Sequence, residues 1–349
     1  MSNAFLRQLI SGASAPGAVE FHGFLDRIAQ GGAVGQEVAV FLAGLSAKPL
    51  SATSACNFVS YVHRVSPPGL LPGSEGAVNI VGTGGGISTF NISTAAAFVA
   101  SAAGARVLKS GSTAYSSKCG SLEVLRALKV PVPAKAAMLA DMVGELGIAF
   151  IPASHYAPLL RRMAALILPL AWRDVAGFIN TIGPLLCPYQ VAAQVIGVSR
   201  LEYLNVFTDA ITRLALPKTL LVHADSGMDE FSSIATNHCR LIDGCVQRLS
   251  LPEQFGFAPG AAVDLAGGDV TENVAILRAV LAGRHKGAAR DTVVLNSAAL
   301  LFVAGVASSF ELGIQRSADA IDDGRALAQL ELVAAWGRKL ASRPSVSAA

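Results

Sequence analysis

The sequence predicts an α/β protein in two parts. A small N-terminal α-helical domain spans residues 1–70, with a returning helical segment at about 155–185; a larger α/β domain with a central sheet spans 75–340. Three observations predict this. Apolar residues recur at helical spacing before a Pro- and Gly-rich break, and short β-branched runs alternate with Ala-rich stretches after it. The third is composition: 349 residues, 52% apolar and only 15% charged, suit extensive burial rather than disorder.

The first helices follow from Phe5, Leu6, Leu9 and Ile10, then Phe21, Phe24, Leu25 and Ile28, then Val38, Phe41, Leu42 and Leu45. Gly31-Gly32 and Lys48-Pro49 punctuate them. The stretch from Ser66-Pro67-Pro68-Gly69 to Ser74 reads as a linker. Beyond it, strands are expected at Val78–Val81, Arg106–Lys109, Ala149–Ile151, Thr219–His223 and Ala262–Leu265.

Charge and cysteine usage narrow the classes. The net charge of +3 is spread along the chain without a basic, aromatic-interleaved cluster, which argues against a nucleic-acid partner. Five cysteines without a CxxC pair read as reduced thiols, and the N-terminus lacks a signal-peptide pattern, so a cytoplasmic location is expected. Apolar runs such as Leu166–Leu170 are too short to span a bilayer, and no membrane association is expected.

The densest signal is the run from Gly82 to Thr94, GTGGGISTFNIST. It follows an apolar β-branched segment and leads into Ala-rich helix. Glycines let backbone N–H groups turn inward, and a helix start adds unpaired donors and partial positive charge, so this order builds an anion cradle. Ser93 and Thr94 place hydroxyls where a phosphate would sit. A second strand–loop–helix unit runs from Lys109 to Ser121 with two lysines and many hydroxyls; its alternative is a solvated Ser-rich loop. A third, His223 to Glu230, puts Asp229 and Glu230 at a strand-end loop, a pattern that suits magnesium or simply complements a helix dipole. Taken together they describe a phosphate-rich, magnesium-bound substrate.

These elements, in order and spacing, resemble the anthranilate phosphoribosyltransferase family. Asn180-Thr181-Ile182-Gly183-Pro184, Gln194-Val195-Ile196-Gly197, Gly267-Gly268-Asp269 with Glu272-Asn273, and Asp291 with Leu295-Asn296 extend the match over most of the chain. The resemblance implies a class III, nucleoside-phosphorylase-like fold, a homodimer joined through helical domains, and 5-phosphoribosyl 1-diphosphate as donor with Mg2+. It further implies that Gly82, Gly85, Gly86, Thr89, Asn91, Ser93, Thr94, Lys109, Ser117 and Ser121 surround the donor. Ser93, Asp229 and Glu230 would serve the metal.

The departures cluster where the acceptor would sit. The family's Gly-Thr-Gly-Gly-Asp-Gly lacks its Asp here, and its Lys-His-Gly-Asn-Arg reads Lys109-Ser110-Gly111-Ser112-Thr113. Serines in place of His and Asn are expected to enlarge the pocket and remove hydrogen bonds to anthranilate's amine. The family's carboxylate-binding Arg has no direct counterpart, which leaves Arg161, Arg162 and Arg173 as candidates. The acceptor set expected is Ser110, Ser112, His155, Tyr156, Arg162, Arg173, Gly183 and Pro184. The expected activity is phosphoribosyl transfer to a small aromatic acid, a benzoate or amino- or hydroxybenzoate variant. The alternatives are true anthranilate transfer, a phosphorolytic nucleoside enzyme, or a non-catalytic phosphate- or nucleic-acid-binding relative.

Overall fold

The computed structural model describes residues 2–12, 17–111, 120–249 and 255–341. Four helices come first: α1 (Ser2–Ser11), α2 (Ala18–Gln30), α3 (Gly35–Ser46) and α4 (Ala52–Val65). Their apolar stripes pack together, with Phe5, Phe21, Phe24 and Phe41 forming an aromatic cluster at centroid separations of 5.0 to 6.1 Å. Chain reversal after α2 uses Gly31 at φ 86°, a left-handed C-cap.

The sheet begins with β1 (Val78–Gly82), followed by α5 (Ile92–Ala102), β2 (Val107–Ser110), α6 (Ser121–Ala127), α7 (Ala136–Leu146) and β3 (Ile148–Ile151). Three short helices come next: α8 (Pro158–Leu166), α9 (Trp172–Val175) and α10 (Gly177–Ile182). The chain then re-enters the sheet through β4 (Ala193–Gly197), α11 (Leu201–Arg213), β5 (Lys218–Ala224), β6 (Asn237–Asp243) and β7 (Cys245–Leu249). It ends in α12 (Val270–Leu281), α13 (Ala288–Val303), α14 (Phe310–Asp322) and α15 (Arg325–Ala341).

Strand order is β3-β2-β1-β4-β5-β6-β7, parallel through β5 and antiparallel beyond it. Side chains alternate between two cores, as a period of two requires. Val195, Leu220 and Val222 join α5 and α13 on one face; Ile196 and Leu221 join α11, α4 and the N-terminal helices on the other. Residues of α8 and α10 (Leu159, Met163, Phe178, Ile179, Ile182) belong to this second core. Tyr156 packs against both cores.

Two expectations change. Ala262–Leu265 is a single 3-10 turn, not a strand, with Asp264 accepting from Ala261 N at 2.8 Å. Its buried Leu265 carbonyl takes the Phe90 N–H at 3.1 Å and so supports the glycine loop. Strands β4, β6 and β7 escape sequence reading; β7 is exposed at the sheet edge and carries no buried alternation. Among the described residues no helix is long and apolar enough to cross a membrane.

Candidate active site

Parallel α/β sheets bind ligands where the strand order reverses, beyond the carboxyl ends of the strands. Here that point lies between β1 and β4, whose last residues, Gly82 and Gly197, pair in register. The loop leaving β1 bends through Gly84 at φ 69° and Gly85 at φ 80°, a conformation that glycine adopts without Cβ strain. A cleft of about 670 Å³ opens there.

The two acidic residues are bolted to this loop. Asp229 Oδ2 accepts the Gly84 N–H at 2.7 Å, and Glu230 Oε1 accepts the Ser93 N–H at 3.0 Å in the first turn of α5. Buried Met228 and Phe231 anchor the segment on either side. From α13, Asn296 receives Phe231 N–H at 3.1 Å and donates to Phe231 O and Thr292 O, each at 2.8 Å. Asn296 is therefore a clamp on the acidic loop. Behind the glycine loop, Asn273 donates to Asn91 Oδ1 at 3.2 Å and accepts Gly268 N–H at 2.9 Å. The Gly267-Gly268-Asp269 motif thus acts as a buttress.

Lys109, at the end of β2, is only 4% exposed, its ammonium held at 3.4 Å from Ile80 O and 3.3 Å from Ser110 O. Burial pulls its pKa down, while Glu230 and Asp229 push it up. Glu230 is raised by burial and by the Asp229 charge beside it, against Lys109; Asp229 is raised by burial against the Gly84 N–H. The two buried carboxyl groups face one buried ammonium among the described residues, that of Lys109. Among the described residues no group of three or more His, Cys, Asp or Glu forms a closed cage. A cation here would complete its shell from phosphate and water oxygens, the habit of a hard divalent ion.

Residues 74–327 match the family model described as "Glycosyl transferase family, a/b domain". The anthranilate phosphoribosyltransferase of Rubrobacter xylanophilus is 35% identical over 322 residues, covering 91% of this chain and 93% of that protein. Anthranilate phosphoribosyltransferase 2 of Streptomyces coelicolor is 37% identical over 317 residues, covering 89% and 93%. The chain belongs to the anthranilate phosphoribosyltransferase family. The crystal structure of the Thermus thermophilus enzyme of that name superposes with a TM-score of 0.80 at 29% identity, over 95% of this chain and 99% of that one. That of Saccharomyces cerevisiae, solved in complex with PRPP and Mg, shares the fold at a TM-score of 0.82 and 23% identity, over 97% and 98%.

Of the family-derived donor set, Gly82, Gly85, Gly86, Thr89, Asn91, Ser93, Lys109 and Ser121 line the cleft, as do Asp229 and Glu230. So do Ser110, Tyr156, Arg173, Gly183 and Pro184 of the acceptor set. Ser112 and Ser117 lie outside the described residues. Three residues are placed elsewhere. Thr94 is fully buried in the core, its hydroxyl enclosed. His155 spends both ring nitrogens on scaffold, Nδ1 with Tyr189 OH at 2.7 Å and Nε2 with Pro133 O at 3.0 Å. Arg162 turns to the helical part and donates to Ala29 O at 3.1 Å. The Ser110 hydroxyl accepts from Asn79 Nδ2 at 3.2 Å, and burial holds the phenol of Tyr156, which lines the same cleft, well above the usual range.

The arginines divide accordingly. Arg161 lines the cleft but gives Nη1 to Ser154 O at 2.6 Å and Tyr156 O at 3.2 Å. Arg173 lines it from exposed α9, paired loosely with Asp174 at 3.6 Å. Arg162→Ala is expected to cost about 1 kcal/mol of stability, the worth of one hydrogen bond, without changing any substrate constant. Arg173→Ala should leave stability alone and raise the KM for a carboxylate acceptor about tenfold. Paired thermal melts and steady-state kinetics check both.

Proposed function

We propose that this chain transfers the 5-phosphoribosyl group of phosphoribosyl diphosphate to anthranilate, with Mg2+, releasing pyrophosphate. One observation carries the reading: the glycine loop and the Asp229-Glu230 pair are locked together at the strand switch point, facing an apolar slot. The names of the relatives support the same acceptor.

The residues present fit magnesium, since the donors are all oxygen and two adjacent carboxyl groups, both raised by burial, face the single buried ammonium of Lys109. Asp229, Glu230 and Ser93 would hold it, and when bound it would neutralise charge on the diphosphate. The chain itself does the rest. Backbone N–H groups of the Gly82–Gly86 loop and the start of α5 hold phosphate oxygens. As the ribose C1–O bond opens, charge grows on pyrophosphate, and the Lys109 ammonium, fixed and desolvated, stabilises it there. The acceptor amine needs chiefly alignment with C1, which Tyr156, Leu160, Trp172 and Pro184 supply by walling the slot and excluding water. A homodimer joined through the helical elements and a cytoplasmic location belong to this reading.

A second reading, transfer to another benzoate-type acid, is favoured by Ser110 standing where the family has His. Purified protein, the donor, Mg2+ and a panel of anthranilate, benzoate, aminobenzoates and hydroxybenzoates separate the two. Pyrophosphate release with anthranilate at the highest kcat/KM of the panel is expected. A higher value with a hydroxybenzoate selects the second reading, and no release with any acid overturns both.

A further inference from the structure

Trp172, the first residue of α9, is half-buried and lines the cleft beside Leu160, Ala164, Ala171 and Ile179. It is held firmly. Its indole Nε1–H donates to Asn180 Oδ1 at 3.1 Å, and its carbonyl accepts the Ala176 N–H at 2.9 Å. The end of α9 is tied to α3, whose Ser46 hydroxyl lies 2.8 Å from Val175 O and accepts the Phe178 N–H at 3.0 Å. The side chain also packs against the second core. An indole has a single polar group, and here Asn180 takes it, so ring carbons are what Trp172 has left to offer a ligand. Among the described residues no aromatic ring pairs with Trp172, and no Lys or Arg lies over it. A large ring fixed in a cleft wall without a π partner is a ready stacking surface, because its ordering is complete before a ligand arrives.

We propose that the Trp172 indole is the face on which the acceptor's ring stacks, and that this contact selects flat, π-bonded acids over saturated acids of the same charge. The inference rests on the aromatic-acid reading above and deepens it. The side chains beside Trp172 are aliphatic, and their attraction is non-directional, so they would take a saturated ring as readily as a flat one. The indole discriminates: its π face gains from an offset-stacked ring, and a puckered ring cannot lie flat on it. Trp172 would touch the acceptor; Asn180 acts through Trp172 by holding its N–H and is a positioning residue. The bonds that tie the glycine loop to the acidic pair involve neither residue, so the donor side is independent of both. Trp172 is not part of the motifs that carry the family resemblance, which makes the contact a property of this chain's α9.

Benzoate and cyclohexanecarboxylate both carry one carboxylate on a six-membered ring and differ in flatness and π electrons. The ratio of their inhibition constants against the preferred acceptor therefore reads the stacking contact. Wild-type protein loaded with donor and Mg2+ is expected to bind benzoate about fivefold more tightly than cyclohexanecarboxylate. Trp172→Leu should bring that ratio to about one and raise the acceptor KM about tenfold, with the donor KM within about twofold of wild type. Trp172→Phe keeps a π face and should keep most of the ratio. Asn180→Leu frees the indole; it should lower the ratio when Trp172 is present and leave it alone once Trp172 is Leu. Calorimetry of donor binding confirms that each variant is folded and loaded. A wild-type ratio near one, an unchanged ratio in a donor-binding Trp172→Leu protein, or a Trp172→Phe ratio as low as that of Leu overturns the inference and leaves the function standing. Wild-type protein that turns over no aromatic acid overturns the functional reading and the inference together.

Discussion

Glu230→Gln is expected to lower kcat about 10³-fold and, at pH 8, to raise the melting temperature of the metal-free protein. The activity loss follows from removing one of two carboxylates that would hold the cation opposite the diphosphate. The stability gain follows from charge. Asp229 and Glu230, both raised by burial, share a single ammonium, Lys109, so one carboxylate is in excess. A carboxyl whose folded pKa lies above its ordinary 4.5 holds its proton more tightly folded than unfolded. Stability therefore falls as pH rises from the ordinary value through the raised one. Gln escapes that loss and still offers Oε1 to the Ser93 N–H. The gain should vanish at pH 4.5 and grow towards pH 8. Asp229→Asn with Glu230→Gln removes both partners and strands the Lys109 ammonium, so the double variant should melt below the single one. Pyrophosphate-release kinetics and melts at several pH values decide it; near-wild-type kcat in Glu230→Gln would remove the metal assignment.

What could be read in advance, and what could not, divides by sequence distance. The Gly82–Ser93 cradle is legible because every part of it is local: strand end, glycines, hydroxyls and helix start are contiguous. The arginines are not. Arg161 and Arg162 are neighbours on α8, about 100° apart around the helix, and only the position of α2 decides that Arg162 meets Ala29 while Arg161 faces the cleft. His155 matched a family pattern, yet its role is set by Tyr189 and Pro133, 34 and 22 residues away. The clamp by Asn296 and the Trp172–Asn180 contact likewise depend on packing. A four-residue segment such as Ala262-Val263-Asp264-Leu265 suits a strand or a 3-10 turn equally well, and the capping Asp264 settles it only once the loop has closed.

Gly197 gives the second large effect, because its need for glycine is spatial rather than conformational. Its φ is not among the left-handed ones, so Ala costs nothing in backbone strain. A Cβ there would overlap the main-chain carbonyl group of Asp229, and one on its register partner Gly82 would overlap the Asp229 carboxylate. The two bare strand ends are what let the acidic loop lie flat against the switch point. Main chain cannot swing aside as a side chain can, so Gly197→Ala must push the whole loop outward. Phe231, held by Asn296, resists, and the bonds at stake are those from Gly84 and Ser93 to the two carboxylates. Displacing reacting partners by an ångström costs about 10²-fold in rate, and overpacking about 1–3 kcal/mol in stability. Gly197→Ala should therefore lower kcat/KM about 10²-fold and weaken Mg2+-dependent donor binding, measured by calorimetry. Gly23→Ala, inside α2 with open space around it, is the matched control. It should gain about 0.5–1 kcal/mol and keep full activity. A Gly197→Ala protein with wild-type kcat/KM would show that the carboxylates need no fixed seat on the sheet, and the electrostatic argument for this site would fail with it.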